Sequence, residues 1–352
     1  MENLIDMLGE PGVLAAAGAV VGLLFGASAQ RSRFCLRAAA AEVAEGRWGG
    51  RLAVWLVAFC AALAAVQGMI LLGALDLSET RVIAAQGSLS GAVAGGLMFG
   101  CGMILARGCA SRLLVLASGG NLRALITGLV VTLVAQASYR GVLSPAREAL
   151  AGIWTVPGGV ARDLSQLLGV PLTVSAAAAL AGFAASLFAA RRCGINAAQS
   201  MAAACVGIAV ALGWAMTYAI AQASFEVVPV SSVTFTGPAT DTLMALVGER
   251  SVTLSFGIGL VPGVALGAGL SAWLAGEWRV ERFGADTPME RYLAGAVLMG
   301  FGAMLAGGCA VGAGLSGGSA LSLTAWVAVA AMWAGAVATH RLIPGLKEVQ
   351  QG

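Results

Sequence analysis

The sequence predicts an all-α polytopic membrane protein, and three observations predict it. Of 352 residues, 59% are hydrophobic and only 11% are charged, whereas a soluble domain is about 45–50% apolar and about 25% charged. The mean hydropathy is +0.88. Nine separate apolar stretches recur along the chain, and basic residues concentrate in the segments on one side of them.

The stretches are 13–29, 52–75, 88–106, 124–137, 172–190, 202–221, 252–274, 292–306 and 323–337. A spanning helix needs about 20 residues. The stretches 13–29, 124–137, 292–306 and 323–337 are shorter than that, so flanking residues must extend them or their helices are broken. If the first residue lies outside, the inner segments are 30–51, 107–123, 191–201, 275–291 and the tail from 338. They hold 15 of the 20 basic residues. That asymmetry is the positive-inside pattern, and it places the N-terminus in the periplasm and the C-terminus in the cytoplasm. Glu2, Asp6 and Glu10 occupy the start of the chain where a cleavable leader would be basic, so the first stretch reads as a signal anchor. A net charge of +3, scattered along the chain, excludes a nucleic-acid surface.

Glycine supplies 50 residues. Small residues let spanning helices approach closely and let the backbone break. They also carry a repeat. Gly95–Ala110 reads GGLMFGCGMILARGCA, and Gly295–Ala310 reads GAVLMGFGAMLAGGCA, 200 residues later. Ser118-Gly119-Gly120 is echoed by Ser316-Gly317-Gly318. The expected organisation is a first repeat over 13–137, a connecting span at 172–190 and a second repeat over 202–337. Five spans separate equivalent elements, an odd number, so the repeats are inverted. That arrangement is built into many transporters, with the site near the midplane between the halves.

Seven cysteines are present, with no CxxC pair and no zinc spacing, so neither a metal nor a cofactor is expected. Cys60, Cys101 and Cys205 lie inside apolar runs and read as small hydrophobes; Cys193 follows Arg191-Arg192. Cys35, Cys109 and Cys309 differ from these. Each follows a spanning stretch and precedes an apolar segment too short to cross, such as Leu113–Ala117. The pattern predicts a helix that breaks, places a loop within the protein and returns. Such backbone is tolerated at membrane depth only inside protein or beside a wet cavity. Glycines such as Gly108 and Gly308 leave bare N–H groups there, and the following half-helix adds its positive end. Arg33 and Arg37 flank Cys35, Arg107 and Arg112 flank Cys109, and no charge lies near Cys309. Charged groups at membrane depth mark a pathway or a partner. The spans carry no acidic residue, which removes a carboxylate proton relay. Unpaired thiols are weak, polarizable donors and acceptors suited to a soft, sulfur-bearing anion.

RSRFCLRAA at 31–39, ARGCASRLLVLASGGNLRALITG at 106–128 and AGGCAVGAGLSGGSALS at 306–322 resemble the YeeE/YedE family of bacterial inner-membrane proteins, and the likeness covers nearly the whole chain. The resemblance implies helical inverted repeats with short helices dipping in from both faces. It implies thiosulfate uptake past three cysteines, which fall by motif position on Cys35, Cys109 and Cys309. It also implies a small, separate cytoplasmic TusA-like sulfur carrier as partner. One departure stands out: Leu36-Arg37-Ala38 follows the first cysteine, where many relatives carry a Thr-Met-Gly-like stretch, so the substrate is read as thiosulfate or a closely related anion. Two other readings compete with uptake. One is a passive pore for another small anion. The other is a membrane thiol–disulfide enzyme, which the lack of CxxC and the placing of the thiols on three separate elements disfavour.

Overall fold

The computed structural model describes residues 2–224, 226–248, 253–282 and 289–343. The expected start of the seventh span at 252, part of the 275–291 segment and the tail beyond 343 lie outside them. The chain is almost entirely helical. In order, the first part is α1 (Glu2–Ser32), α2 (Leu36–Ala44), α3 (Gly50–Leu71), α4 (Arg81–Ala84), α5 (Leu89–Leu105), α6 (Ala110–Ser118), α7 (Leu122–Arg140), α8 (Ser144–Gly152) and α9 (Leu164–Leu167). The second part is α10 (Leu172–Arg192), α11 (Ala197–Ala223), α12 (Thr236–Gly248), α13 (Phe256–Leu274), α14 (Met289–Ala306), a π-type turn (Gly312–Gly317) and α15 (Leu323–Leu342). One two-residue antiparallel pairing, Gly87–Ser88 with Thr155–Val156, ties the base of α5 to the loop before α9.

Every expected span is a helix, and the four short ones are lengthened by their flanks. Eight membrane-crossing candidates among the described residues are long and apolar enough to span. The stretch 292–306 forms α14, which falls short of that measure because its first turn carries Glu290 and Arg291.

Backbone-to-backbone contact organises the packing. Gly18, Gly22 and Gly26 of α1 face the backbone of α13 at Phe256, Leu260 and Val264, and Gly259, Gly263 and Gly267 of α13 face α1 at Ala15, Ala19 and Leu23. The two glycine rows are spaced four apart and run in parallel, so no side chain separates the helices. At the centre α5 and α14 cross antiparallel. A Cβ at Gly95 would lie 2.6 Å from the Gly302 oxygen, and one at Gly302 would lie 2.7 Å from the Gly95 oxygen. Gly102 and Gly295 repeat the contact, at 2.6 and 2.7 Å. Each pair is the other displaced by 200 residues, the reciprocity expected of a two-fold contact.

The remaining contacts recur under the same displacement. α1 packs on α13 as α11 packs on α3; α5 packs on α15 as α14 packs on α7. α6 leans on α7 as the π-type turn leans on α15, and α2 leans on α3 as α12 leans on α13. α10 packs on α3 outside this pairing. At one end of the bundle His340, in the last turn of α15, sits 3.2 Å from Glu45 just beyond α2. Burial opposes ionisation of Glu45, yet Arg47 and His340 hold its carboxyl below the ordinary value.

Two outcomes follow for stability in detergent. Gly102→Ala should cost about 1–3 kcal/mol through overpacking. Gly68→Ala, where a new methyl meets no atom within 4 Å, should be neutral or stabilising; equal losses by thermal denaturation would contradict the close crossing. Because the Glu45 pKa is lowered on folding, its contribution is present at neutral pH and lost as pH falls through the lowered value. The difference in unfolding midpoint between wild type and Glu45→Gln should therefore be present at neutral pH and close as the pH falls below the ordinary carboxylate range.

Candidate functional site

Three turns of one design hold the three cysteines predicted to matter. α1 ends at Arg33 (φ 54), α5 at Arg107 (φ 56) and α14 at Gly307 (φ 80), each in the left-handed region. The next residue then reaches back to cap its helix. Phe34 N–H donates to Ala29 O at 3.2 Å, Gly108 N–H to Met103 O at 3.1 Å and Gly308 N–H to Ala303 O at 2.9 Å. These are Schellman closures. The residue after that is the cysteine. Cys35 and Cys109 are the N-cap residues of the nine-residue helices α2 and α6, and Cys309 precedes the π-type turn. A left-handed non-glycine residue costs about 1–3 kcal/mol and tends to persist at functional sites. Two of these three positions carry an arginine rather than glycine.

All three cysteines are buried. Because α5 and α14 are antiparallel and each cysteine follows a C-terminus, Cys109 and Cys309 lie at opposite ends of that pair. The 17 residues of α5 make that about 25 Å of helix. Cys35 and Cys109 lie on separate elements, α2 and α6, as expected, yet they are neighbours in space. Their side chains interact directly, and the charges of Arg37 and Arg112 face Cys35. Cys109 Sγ also lies 3.4 Å from Ser111 Oγ. Their meeting has a simple cause: α2 and α6 both fold back from the same end of the bundle, and each begins at its buried cysteine.

The Cys35 side chain opens onto a cavity of about 370 Å³ lined by Arg33, Arg37, Arg47, Arg51, Arg107 and Arg112, with Glu42 and Glu45 the acidic residues. Both carboxylates are already engaged. Glu42 accepts the N–H groups of Arg51 at 3.2 Å and Leu52 at 2.8 Å, capping α3, and Glu45 is held by Arg47 and His340. Arg37 Nε and Arg112 Nη1 are buried without a hydrogen-bond partner among the described residues, as are Nε and Nη2 of Arg291. The cavity is therefore positive, with guanidinium hydrogens to spare for an anion. Arg33 points away from the thiols, to Glu277 at 3.4 Å, on the wall of an adjoining cavity of about 860 Å³.

The contacts at Cys309 are neutral ones. Its sulfur accepts the Gly312 N–H at 3.5 Å, and Ser316 Oγ–H donates to Val233 O at 2.6 Å. The Val233 segment leads into α12, a fourth half-helix that the sequence analysis missed. Displaced by 200 residues, α2 falls on α12 and Cys35 falls on Phe235, which packs its ring 5.1 Å from Phe25 of α1. Extending the repeat backwards from Cys109 would have found α12, but SSVTFTGPA shares no chemistry with RSRFCLRAA. Arg291 was missed because a basic residue at the start of a span reads as an anchor; in space its charge adjoins those of Arg107 and Arg37. Gly108 and Gly308 sit inside the turns, where a Cβ would meet Leu113 at 3.2 Å and Ala313 N at 3.0 Å. Cys60, Cys101, Cys193 and Cys205 are free thiols on other elements. Among the described residues no group of three or more His, Cys, Asp or Glu is placed to hold a metal.

No curated protein matches the chain. The family profile described as sulphur transport matches residues 31–338, which takes in all three cysteine turns and every spanning helix except part of α1 and the end of α15. The chain belongs to the YeeE/YedE sulphur-transport family.

Proposed function

We propose that this multi-pass sulphur-transport protein takes up thiosulfate, or a closely related sulfur anion, across the bacterial inner membrane by way of Cys309, Cys109 and Cys35. The observation that carries the reading is the pair of adjoining thiols beside an arginine-lined cavity, with a third buried thiol at the far end of α5 and α14. The shared displacement of the packing supports two inverted repeats, and the parallel run of α1 with α13 against the antiparallel α5 and α14 suits the order of spans read from the sequence; the basic residues of the inner segments support a periplasmic N-terminus. The anion enters at the periplasmic face near Cys309, where Gly312 N–H and the thiol offer neutral contacts. It passes to Cys109 and Cys35, whose thiols donate weakly to its terminal sulfur, and its sulfonate oxygens meet Arg112, Arg37 and Arg291. Weak neutral donors suit passage because a conducting site must release as well as bind. Arg107 and Arg33 lead to the wider cavity, where a TusA-like carrier collects the sulfur. The protein acts as a transporter and not as an enzyme in this reading, with no cofactor.

Uptake of sulfane-labelled thiosulfate into cells lacking other sulfate and thiosulfate transporters tests it. Alanine at Cys109 or Cys35 removes a hydrogen bond at a buried site and should lower uptake about five- to tenfold, with serine falling between; unchanged uptake in Cys109→Ala removes the thiol path. Arg112→Gln removes a charge-assisted bond and should lower uptake about tenfold or more. Arg33→Gln breaks an exposed ion pair and should change little. Equal permeation of sulfate and thiosulfate would favour a passive pore instead.

A further inference from the structure

The two adjoining thiols have more capacity than a pair of hydrogen-bond donors requires. We propose that Cys35 is also a sulfur acceptor, which takes the terminal sulfur of a sulfane-bearing anion as a persulfide. The proposal rests on the thiosulfate reading above for the identity of the donor.

Four features of the site support it. Cys35 caps the N-terminus of α2 and Cys109 that of α6, both nine-residue helices. A cysteine at a helix N-terminus beside arginines is in the surroundings where thiols act as nucleophiles. Cys109 supplies a neighbouring thiol beside the attacking sulfur. The buried, unpartnered nitrogens Arg37 Nε and Arg112 Nη1 are ready for an anionic leaving group, and the cavity beside Cys35 gives it somewhere to go. Cys309 has the buried thiol but none of the arginines, so the reaction is confined to one end of the path.

The step balances without a further reagent. The Cys35 sulfur attacks the sulfane sulfur of thiosulfate and a new S–S bond forms. The bond from sulfane sulfur to the sulfonate sulfur breaks, and its electron pair leaves with the sulfonate. The thiol proton departs on that group, so a thiol and a dianion become a persulfide anion and hydrogensulfite. The Cys35 sulfur is oxidised by one level and the sulfonate sulfur is reduced by one. Arg112 and Arg37 hold the sulfonate oxygens as charge gathers on them. A cytoplasmic thiol that attacks the outer sulfur restores Cys35 and carries the sulfur away, so this end of the protein delivers sulfur and sulfite separately rather than the intact ion.

The test uses the purified full-length protein in detergent, incubated with thiosulfate and examined by mass spectrometry without reductant while sulfite is assayed. The expected result is a gain of one sulfur atom on the peptide bearing Cys35, with sulfite released in step. Both should be lost in Cys35→Ser and kept in Cys101→Ser, a thiol that bonds only to Gly335 O at 3.6 Å. Arg112→Gln should slow sulfite release while leaving Cys35 free to alkylation, which separates a loss of chemistry from a loss of fold. Thiosulfate binding by calorimetry with no mass gain and no sulfite overturns the persulfide and leaves the transport reading intact. A sulfur gained on Cys309 or Cys60 instead of Cys35 also overturns it. Absence of binding, uptake and mass gain together removes the transport reading and the persulfide with it.

Discussion

A chain that turns back at membrane depth strands backbone groups where water cannot reach them, and the turns holding Cys35, Cys109 and Cys309 answer that constraint. Each ends its helix with a left-handed residue, returns one N–H to a carbonyl of the last turn and restarts as a helix from the cysteine. Few backbone groups remain free, and those at the new N-terminus point inward. The thiols therefore sit where they do because the cysteine is the residue between two helices. The same turn leaves positive helix ends facing the interior, so the neighbourhood is already electropositive before any arginine is counted.

Such turns need helices close enough to shield them. The glycine rows of α1 and α13, and the reciprocal Gly95–Gly302 and Gly102–Gly295 contacts of α5 and α14, bring backbones together with no side chain between. Lipid provides little hydrophobic drive for helices to associate, so close van der Waals packing has to supply it. The high glycine content is thus spent on two tasks: helix crossings that hold the frame, and turns that carry the site.

The spans were legible because each needs a continuous apolar run: all nine stretches lie in helices, and eight of those among the described residues are long and apolar enough to cross. The ends were less legible: α1 continues forward to Ser32 through residues whose polarity reads as loop, and backward from Val13 to a kink at Gly9, before which a short helical piece starts at Glu2. The turns at Cys109 and Cys309 were legible from Gly-Cys-Ala recurring in register. Contact between Cys35 and Cys109 was not, since the two are far apart in the chain and only the packing of α2 against the bundle brings them together. α12 was hidden because its leading residue is Phe235 in place of a thiol. The roles of Glu42 and Glu45 were hidden as well. In sequence they look like counter-ions to the arginines; in space one caps α3 and the other is held by His340 and Arg47, which leaves Arg37 Nε and Arg112 Nη1 without a partner among the described residues.

The account therefore turns on one place: the thiols of Cys35 and Cys109 beside Arg112, as the point where a sulfur anion stops on its way in. Diffraction at the selenium edge from crystals soaked with selenosulfate, the selenium analogue of thiosulfate, addresses it directly. The account predicts a selenium peak beside Cys35 and Cys109, as the intact ion with its sulfonate toward Arg112 and Arg37 or, after transfer, on the Cys35 sulfur. Selenium found only in the wide cavity beside Arg33 and Glu277, away from both thiols, would contradict it.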